Sequence, residues 1–227
     1  MHIMQLKKAK RMRQNKGVVL TTPFFLLTFL KIYDIIYYIR KEVLFMIYLT
    51  SDLHLGHSKS FLWQPRGFKS IEEHDETIIT NWNRIINDDD YIYILGDLML
   101  GDNDEGIEKL KRLRGKLHII YGNHDTDARK SRYSELPNFV EASYATMLRY
   151  GKWNFYLSHY PTIVGGIHNT KDKLWNLCGH SHTKDRFTDM EYKAYHVELD
   201  CHNNMPISID DIILDIKEWR VLNNEIY

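Results

Sequence analysis

The chain is poor in the residues that staple or interrupt a fold. Its 227 residues include two cysteines, Cys178 and Cys201, which form no CxxC pair. That excludes a disulfide scaffold and a CxxC redox or zinc motif, and it fits a reducing compartment. Five prolines and 12 glycines are too few for a collagenous or low-complexity chain. Net charge is also lacking, with 30 basic residues against 30 acidic. What the chain does have is 44% hydrophobic, 13% aromatic and 26% charged residues, enough for a packed core under a soluble surface. The length fits one domain.

The zero net charge hides an asymmetry. Residues 1–45 hold nine Lys/Arg against Asp34 and Glu42, which leaves the remaining residues with 21 basic and 28 acidic groups. A body of that sign is unsuited to broad binding of a nucleic-acid backbone, which needs several cations to neutralise phosphates. The basic start followed by the uncharged stretch 17–30 has the look of a signal peptide or anchor. The stretch contains Pro23 and is shorter than the about 20 apolar residues of a spanning helix. Extending it to residue 39 brings in Lys31 and Asp34, and no small-residue cleavage site follows promptly. Residues 1–45 are therefore read as a dispensable extension, with Met46 as a candidate true start and 46–227 as the functional domain. Membrane contact is expected only through that extension, and the domain is expected in the cytoplasm.

From Met46 onward, short apolar runs alternate with amphipathic stretches. The runs 46–50, 91–95 and 117–121 are rich in Ile, Leu and Tyr, as buried strands are. A helix between the first two is signalled by Ser70 as N-cap and Glu73 three residues on, with Ile71, Ile78, Ile79, Trp82, Ile85 and Ile86 on one face. A shorter helix is predicted over 104–113 and another after Asp125. This βαβαβα order predicts parallel strands with right-handed crossovers. Segments 140–150 and 153–158 flank Gly151-Lys152 as a hairpin, and 174–178 and 195–199 supply further strands. Ser208 with Asp211 opens a closing helix carrying Ile212, Ile213, Ile216 and Trp219.

The polar residues fall at the ends of these runs. The first ends in Asp52-Leu53-His54, the second in Gly96-Asp97 and the third in Gly122-Asn123-His124-Asp125. The run 153–158 leads into His159, and 174–178 leads into Gly179-His180-Ser181-His182. Carboxyl ends of parallel strands converge on one crevice, so groups distant in sequence meet there. Carboxylate, imidazole and amide oxygen suit divalent Mn, Fe or Zn. The i, i+2 spacing of Asp52/His54 and of His180/His182 fits a strand end or tight loop, where alternate side chains share a face.

This series, Asp52-x-His54, Gly96-Asp97, Gly122-Asn123-His124-Asp125, His159 and Gly179-His180-x-His182, resembles the calcineurin-like metallophosphoesterase superfamily, over essentially all of the chain from Met46. One such fragment is weak evidence; all five in order, each closing an apolar run, are specific. The resemblance implies an α/β fold, a four-layer α-β-β-α sandwich of two mixed sheets flanked by helices, with a dinuclear metal site at the strand ends. It implies that Asp52, His54 and His182 hold the first ion, that Asn123, His159 and His180 hold the second, and that Asp97 bridges them. Manganese is the leading cofactor candidate, with iron, zinc and nickel as alternatives. Two cations about 3.5 to 4 Å apart can hold a bridging water, lower its pKa toward 7 and present hydroxide in line to phosphorus. His124, beside a ligand but in the family pattern not itself one, is the candidate general acid.

The expected activity is hydrolysis of a phosphodiester or small-molecule phosphomonoester, with a small-molecule or nucleotide substrate as partner. Protein Ser/Thr phosphatases of this superfamily follow Gly-Asp with a further Asp and Arg-Gly. Here the segment is Gly96-Asp97-Leu98-Met99-Leu100-Gly101, which argues against that subgroup. The form resembles small bacterial and phage phosphoesterases. The alternative is a catalytically weak metal-binding interaction module of the same fold. His57 and Arg66 are candidates to contact the phosphate, against the plainer readings of a loop histidine and a solvated arginine. His74, on the polar side of its helix, and His118, His168, His196 and His202 are read as structural or exposed. Cys178 is read as a buried structural thiol, 88–90 as a solvated acidic turn, and Tyr and Trp as core packing rather than a base-stacking platform.

Overall fold

The computed structural model describes residues 45–162, 174–188 and 193–223. Contacts divide the chain into Met1–Val43 and Leu44–Tyr227; the N-terminal extension and His168 lie outside the described residues. In chain order the elements are β1 (Ile47–Thr50), α1 (Ser60–Trp63), α2 (Ile71–Ile85), β2 (Tyr91–Leu95), α3 (Asn103–Leu110), β3 (Lys116–Ile120), α4 (Asp127–Lys130), β4 (Phe139–Ser143), β5 (Ala145–Tyr150) and β6 (Trp153–Ser158). There follow β7 (Leu174–Cys178), β8 (Phe187–Thr188), β9 (Ala194–His196), β10 (Ile207–Ser208) and α5 (Ile209–Leu222). The strands form two five-stranded sheets, β10-β1-β2-β3-β4 and β5-β6-β7-β9-β8. Both are mixed. β1 to β4 run parallel with β10 antiparallel, while β6, β7 and β9 run parallel with β5 and β8 antiparallel.

Alternation along each strand sorts its side chains into two cores. Ile92 and Ile94 of β2 and Leu117 and Ile119 of β3 pack with Ile78, Ile79 and Trp82 of α2 and Ile107 and Leu110 of α3. On the opposite face, Leu49, Leu95 and Ile120 meet Trp153, Phe155 and Leu157 of β6, Trp175 and Leu177 of β7, and Ile212, Ile213 and Ile216 of α5. The second core therefore joins the two sheets, and their strand ends lie side by side. The cap signals act as read: Ser70 Oγ accepts from Glu73 N at 3.2 Å, and Ser208 Oγ accepts from Asp211 N at 3.1 Å.

The structure departs from the sequence expectation in two places, the run 140–150 and Asp90, and decides a third, His74. The run 140–150 is two strands: β4 pairs with β3 in the first sheet and β5 with β6 in the second. Only Tyr144 separates them, because the chain turns a corner between sheets without a glycine or proline. His74, read as structural or exposed, is structural: it is fully buried, where Asp75 and Arg66 supply its partners. Asp90 does not belong to a solvated turn: it is buried, and its carboxylate accepts from Met46 N and Asn87 N at 2.7 Å each, tying the start of β1 to the turn before β2. No helix among the described residues is long and apolar enough to cross a membrane.

Candidate metal centre

The carboxyl ends of β1, β2, β3, β6 and β7 deliver the seven polar residues of the motif series to one place. Their loops are laced by backbone bonds, Asp52 N to Gly96 O at 3.0 Å, His54 N to Asp97 O at 2.9 Å and Gly179 N to His159 O at 2.9 Å. The turns are sharp. Asp52, His54, Asp97, His180 and His182 all have positive φ, between 48° and 74°. Each such conformation costs an L-residue about 1 to 3 kcal/mol and persists where surrounding structure enforces it. Gly122 and Gly179 are required for close approach: a Cβ at Gly122 would lie 2.2 Å from Asp97 Oδ1, and one at Gly179 would lie 2.4 Å from Asp52 Oδ2.

The candidate ligand atoms converge on two points. At the first, His54 Nε2 lies 3.2 Å from His182 Nε2 and 3.7 Å from both Asp52 Oδ1 and Asp97 Oδ2. At the second, Asn123 Oδ1 lies 2.8 Å from His159 Nε2 and 2.9 Å from His180 Nδ1, and His159 Nε2 is 3.6 Å from Asp97 Oδ2. Ligands about 2.0 to 2.2 Å from a cation stand about 2.9 to 3.6 Å apart in octahedral to tetrahedral arrangements, and the pairs at the two points, 3.2 to 3.7 Å and 2.8 to 3.6 Å, lie close to that spacing. Asp97 Oδ2 belongs to both. Asp52 Oδ1 is buried with no hydrogen-bond partner among the described residues, which is costly for a carboxylate oxygen unless a cation meets it. This donor set fits divalent ions.

Neighbouring groups fix which ring nitrogen faces inward. His159 donates from Nδ1 to Leu95 O at 2.8 Å, leaving Nε2 as the lone pair. His182 Nδ1 meets Asp200 Oδ2 at 3.0 Å, with the same effect. Burial raises the Asp97 carboxyl above its usual range, only partly offset by His159 and the His124 N–H. Burial also pushes Asp52 upward, but the close imidazoles of His54, His182 and His159 outweigh that and hold it well below the usual range.

The description of a calcineurin-like phosphoesterase superfamily domain matches residues 45–197, which span every strand that feeds this centre. The chain belongs to the calcineurin-like phosphoesterase superfamily. An uncharacterised protein of Methanocaldococcus jannaschii is 30% identical over 182 residues, covering 78% of this chain and 94% of its own. The Gene 66 protein of Mycobacterium phage L5 is 29% identical over 193 residues, covering 73% and 91%. A protein of unknown function from Aquifex aeolicus, solved as a crystal structure, superposes with a TM-score of 0.59 at 24% identity, covering 74% of this chain and 97% of its own. That likeness concerns the fold alone.

Members of this superfamily use divalent metals in phosphoester hydrolysis, and the remaining candidates sit around the centre at different depths. His124 is exposed; its backbone N donates to Asp97 Oδ1 at 2.8 Å and its ring lies 5.4 Å from that of His54. His57 is buried, its Nδ1 accepts from Lys59 N at 3.1 Å, and burial with the nearby His54 and His124 pushes its pKa down to about 4, so the ring is neutral at pH 7. Arg66 is turned inward. Its side chain is wholly buried, where Nη2 donates to Asp200 Oδ2 at 2.7 Å and to Asp52 O at 2.8 Å. The expectation of a guanidinium reaching out to phosphate does not fit that burial.

Sequence reasoning gave no role to Asp75, Lys109, Asp125 or Asp200, which stand behind the candidate ligands. Lys109 Nζ meets Asp75 Oδ2 at 2.8 Å, Asp75 Oδ1 meets His74 Nδ1 at 2.7 Å, and His74 Nε2 meets Arg66 Nη1 at 3.0 Å. With Asp200, this buried chain ends on His182. Asp125 accepts from Gly122 N at 2.7 Å and Asp97 N at 3.0 Å and is bonded by the Tyr133 hydroxyl, so it clamps two ligand loops together. The signal for Asp200 was present: the strand segment 195–199, Tyr-His-Val-Glu-Leu, is also followed by an acidic residue.

Proposed function

We propose that the protein is a dinuclear metal-dependent phosphoesterase acting on a phosphodiester or a small-molecule phosphomonoester. Asp52, His54 and His182 would hold one ion, Asn123, His159 and His180 the other, and Asp97 both. Manganese suits this N/O set, as do iron, zinc and nickel. The observation that carries the reading is the pair of ligand sets with coordination spacing that share Asp97 Oδ2. When bound, the ions would supply Lewis-acid polarisation of the phosphoryl oxygens and a lowered pKa for the attacking water.

The chain's own residues would do the rest. Asp200 and the Leu95 carbonyl hold His182 and His159 with their lone pairs inward. His124 stands at the open side with its backbone N–H anchored on Asp97, and would pass a ring N–H proton to the leaving oxygen as the ester bond breaks. An exposed imidazole can recover that proton from water. The test is hydrolysis of bis(p-nitrophenyl) phosphate and p-nitrophenyl phosphate by the full chain loaded with Mn²⁺. Turnover of either supports the reading. Leaving both untouched would overturn it.

A further inference from the structure

A cavity of about 290 Å³ lies against the centre, lined by Phe61, Leu62, Pro65, His182, Lys184 and Asp200. Its wall is shared with the first ion's ligand set, because His182 both lines the cavity and stacks on His54 with ring centroids 5.1 Å apart. From the other side the rings of His54, His57 and Phe61 form a line, 5.9 Å and then 5.3 Å between centroids. Phe61 stands at the end of that line on the single turn of α1. It is 71% exposed while its neighbour Leu62 is 6% exposed, so the helix is anchored by Leu62 and presents Phe61 outward. A large aromatic ring held in water beside a polar centre gives up apolar burial, and nothing among its described contacts beyond the edge of His57 uses it.

The chemistry of the lining points to one kind of occupant. Phe61, Leu62 and Pro65 are apolar; the one carboxylate, Asp200, is neutralised by Arg66 at 2.7 Å; and Lys184 Nζ is held toward Pro65 O at 3.3 Å. The volume is near the lower end for small-molecule sites and matches one ring system rather than a polymer segment. Phe61 stands beyond His57 from the ring of His54. A phosphate carrying a planar apolar group would extend that group into the cavity, where edge or face contact with the ring stabilises it.

We propose that this cavity receives the organic group of the phosphoester and selects planar aromatic groups over small alkyl ones, with Phe61 as the selecting residue. The inference rests on the phosphoester reading above and adds the substrate class to it. Two sources share the chemistry, a nucleobase and a simple aryl group.

The test is calorimetric binding of non-hydrolysable phosphonates to the full chain loaded with Mn²⁺. Phenylphosphonate should bind about tenfold more tightly than methylphosphonate. Phe61→Ala should bring that ratio close to one, and Phe61→Trp should restore it; because Phe61 is exposed, neither change disturbs the core. A thymidine 5′-phosphonate that binds at least as tightly as phenylphosphonate, with the same dependence on Phe61, assigns the cavity to nucleosides; weaker binding assigns it to simple aryl esters. A wild-type ratio near one, or a ratio that Phe61→Ala leaves unchanged, would overturn the inference while leaving the phosphoester reading intact. Absence of any Mn²⁺-dependent phosphonate binding would overturn both.

Discussion

Gly122 has no room for a methyl group, and the atom in the way is the Asp97 carboxylate oxygen that accepts from His124 N. In Gly122→Ala the new Cβ would start 2.2 Å from Asp97 Oδ1, so Asp97 must move off the position where it serves both ligand sets. The variant should lose Mn²⁺ binding while keeping its circular-dichroism spectrum; normal binding would show that Asp97 has slack. Asp200 acts at one remove, by holding His182 Nδ1 at 3.0 Å. Asp200→Asn should weaken Mn²⁺ binding by about 10 to 100-fold, the usual effect of losing a ligand's outer partner. Unchanged affinity by titration would reduce the Arg66–Asp200 pair to a structural brace. His202 reports on acid stability. Buried, with Nε2 donating to His196 O at 2.9 Å, it has a pKa pushed down by burial to about 4. The unfolded chain, with histidine near about 6.5, binds more protons between these values. Stability from this residue is therefore complete above about pH 6.5 and falls as pH drops toward 4. His202→Gln should flatten the fall in denaturation midpoint between pH 7 and pH 5, and an equally steep fall would contradict this.

At the scale of elements, what the sequence made legible was whatever depends on local periodicity and caps. Helix α2 begins at Ser70 because that hydroxyl accepts from Glu73 N; Ser70→Ala should cost about 1 kcal/mol. Trp82, fully buried in the α2 face, should cost about 3 to 5 kcal/mol on truncation to alanine. Both are read from urea midpoints, and near-zero losses would contradict the packing described. The corner at Tyr144 was not legible, because strand-forming residues run through it and only pairing across two sheets reveals the break. The inward turn of Arg66 was hidden for a similar reason: its partners lie at positions 52, 74, 182 and 200, and no local pattern connects them. The gathering of Asp52, His54, Asp97, Asn123, His159, His180 and His182 in one place could be read because each follows an apolar run, and strand ends are where a parallel sheet gathers its chemistry.

At the scale of the whole molecule, the centre joins the two sheets, since β1, β2 and β3 supply Asp52, His54, Asp97 and Asn123 while β6 and β7 supply His159, His180 and His182. Ions bound there would cross-link the sheets and favour only the folded chain, adding about 2.7 kcal/mol when free metal is 100 times Kd. Chelation should thus lower the melting temperature, and Mn²⁺ should restore it. The central claim is that these side chains share a pair of cations through Asp97. Equilibrium dialysis against Mn²⁺ followed by elemental analysis tests it most directly: the account predicts two ions per chain, both weakened by Asp97→Ala, whereas a chain that retains no manganese, or that retains it equally well without Asp97, would contradict it.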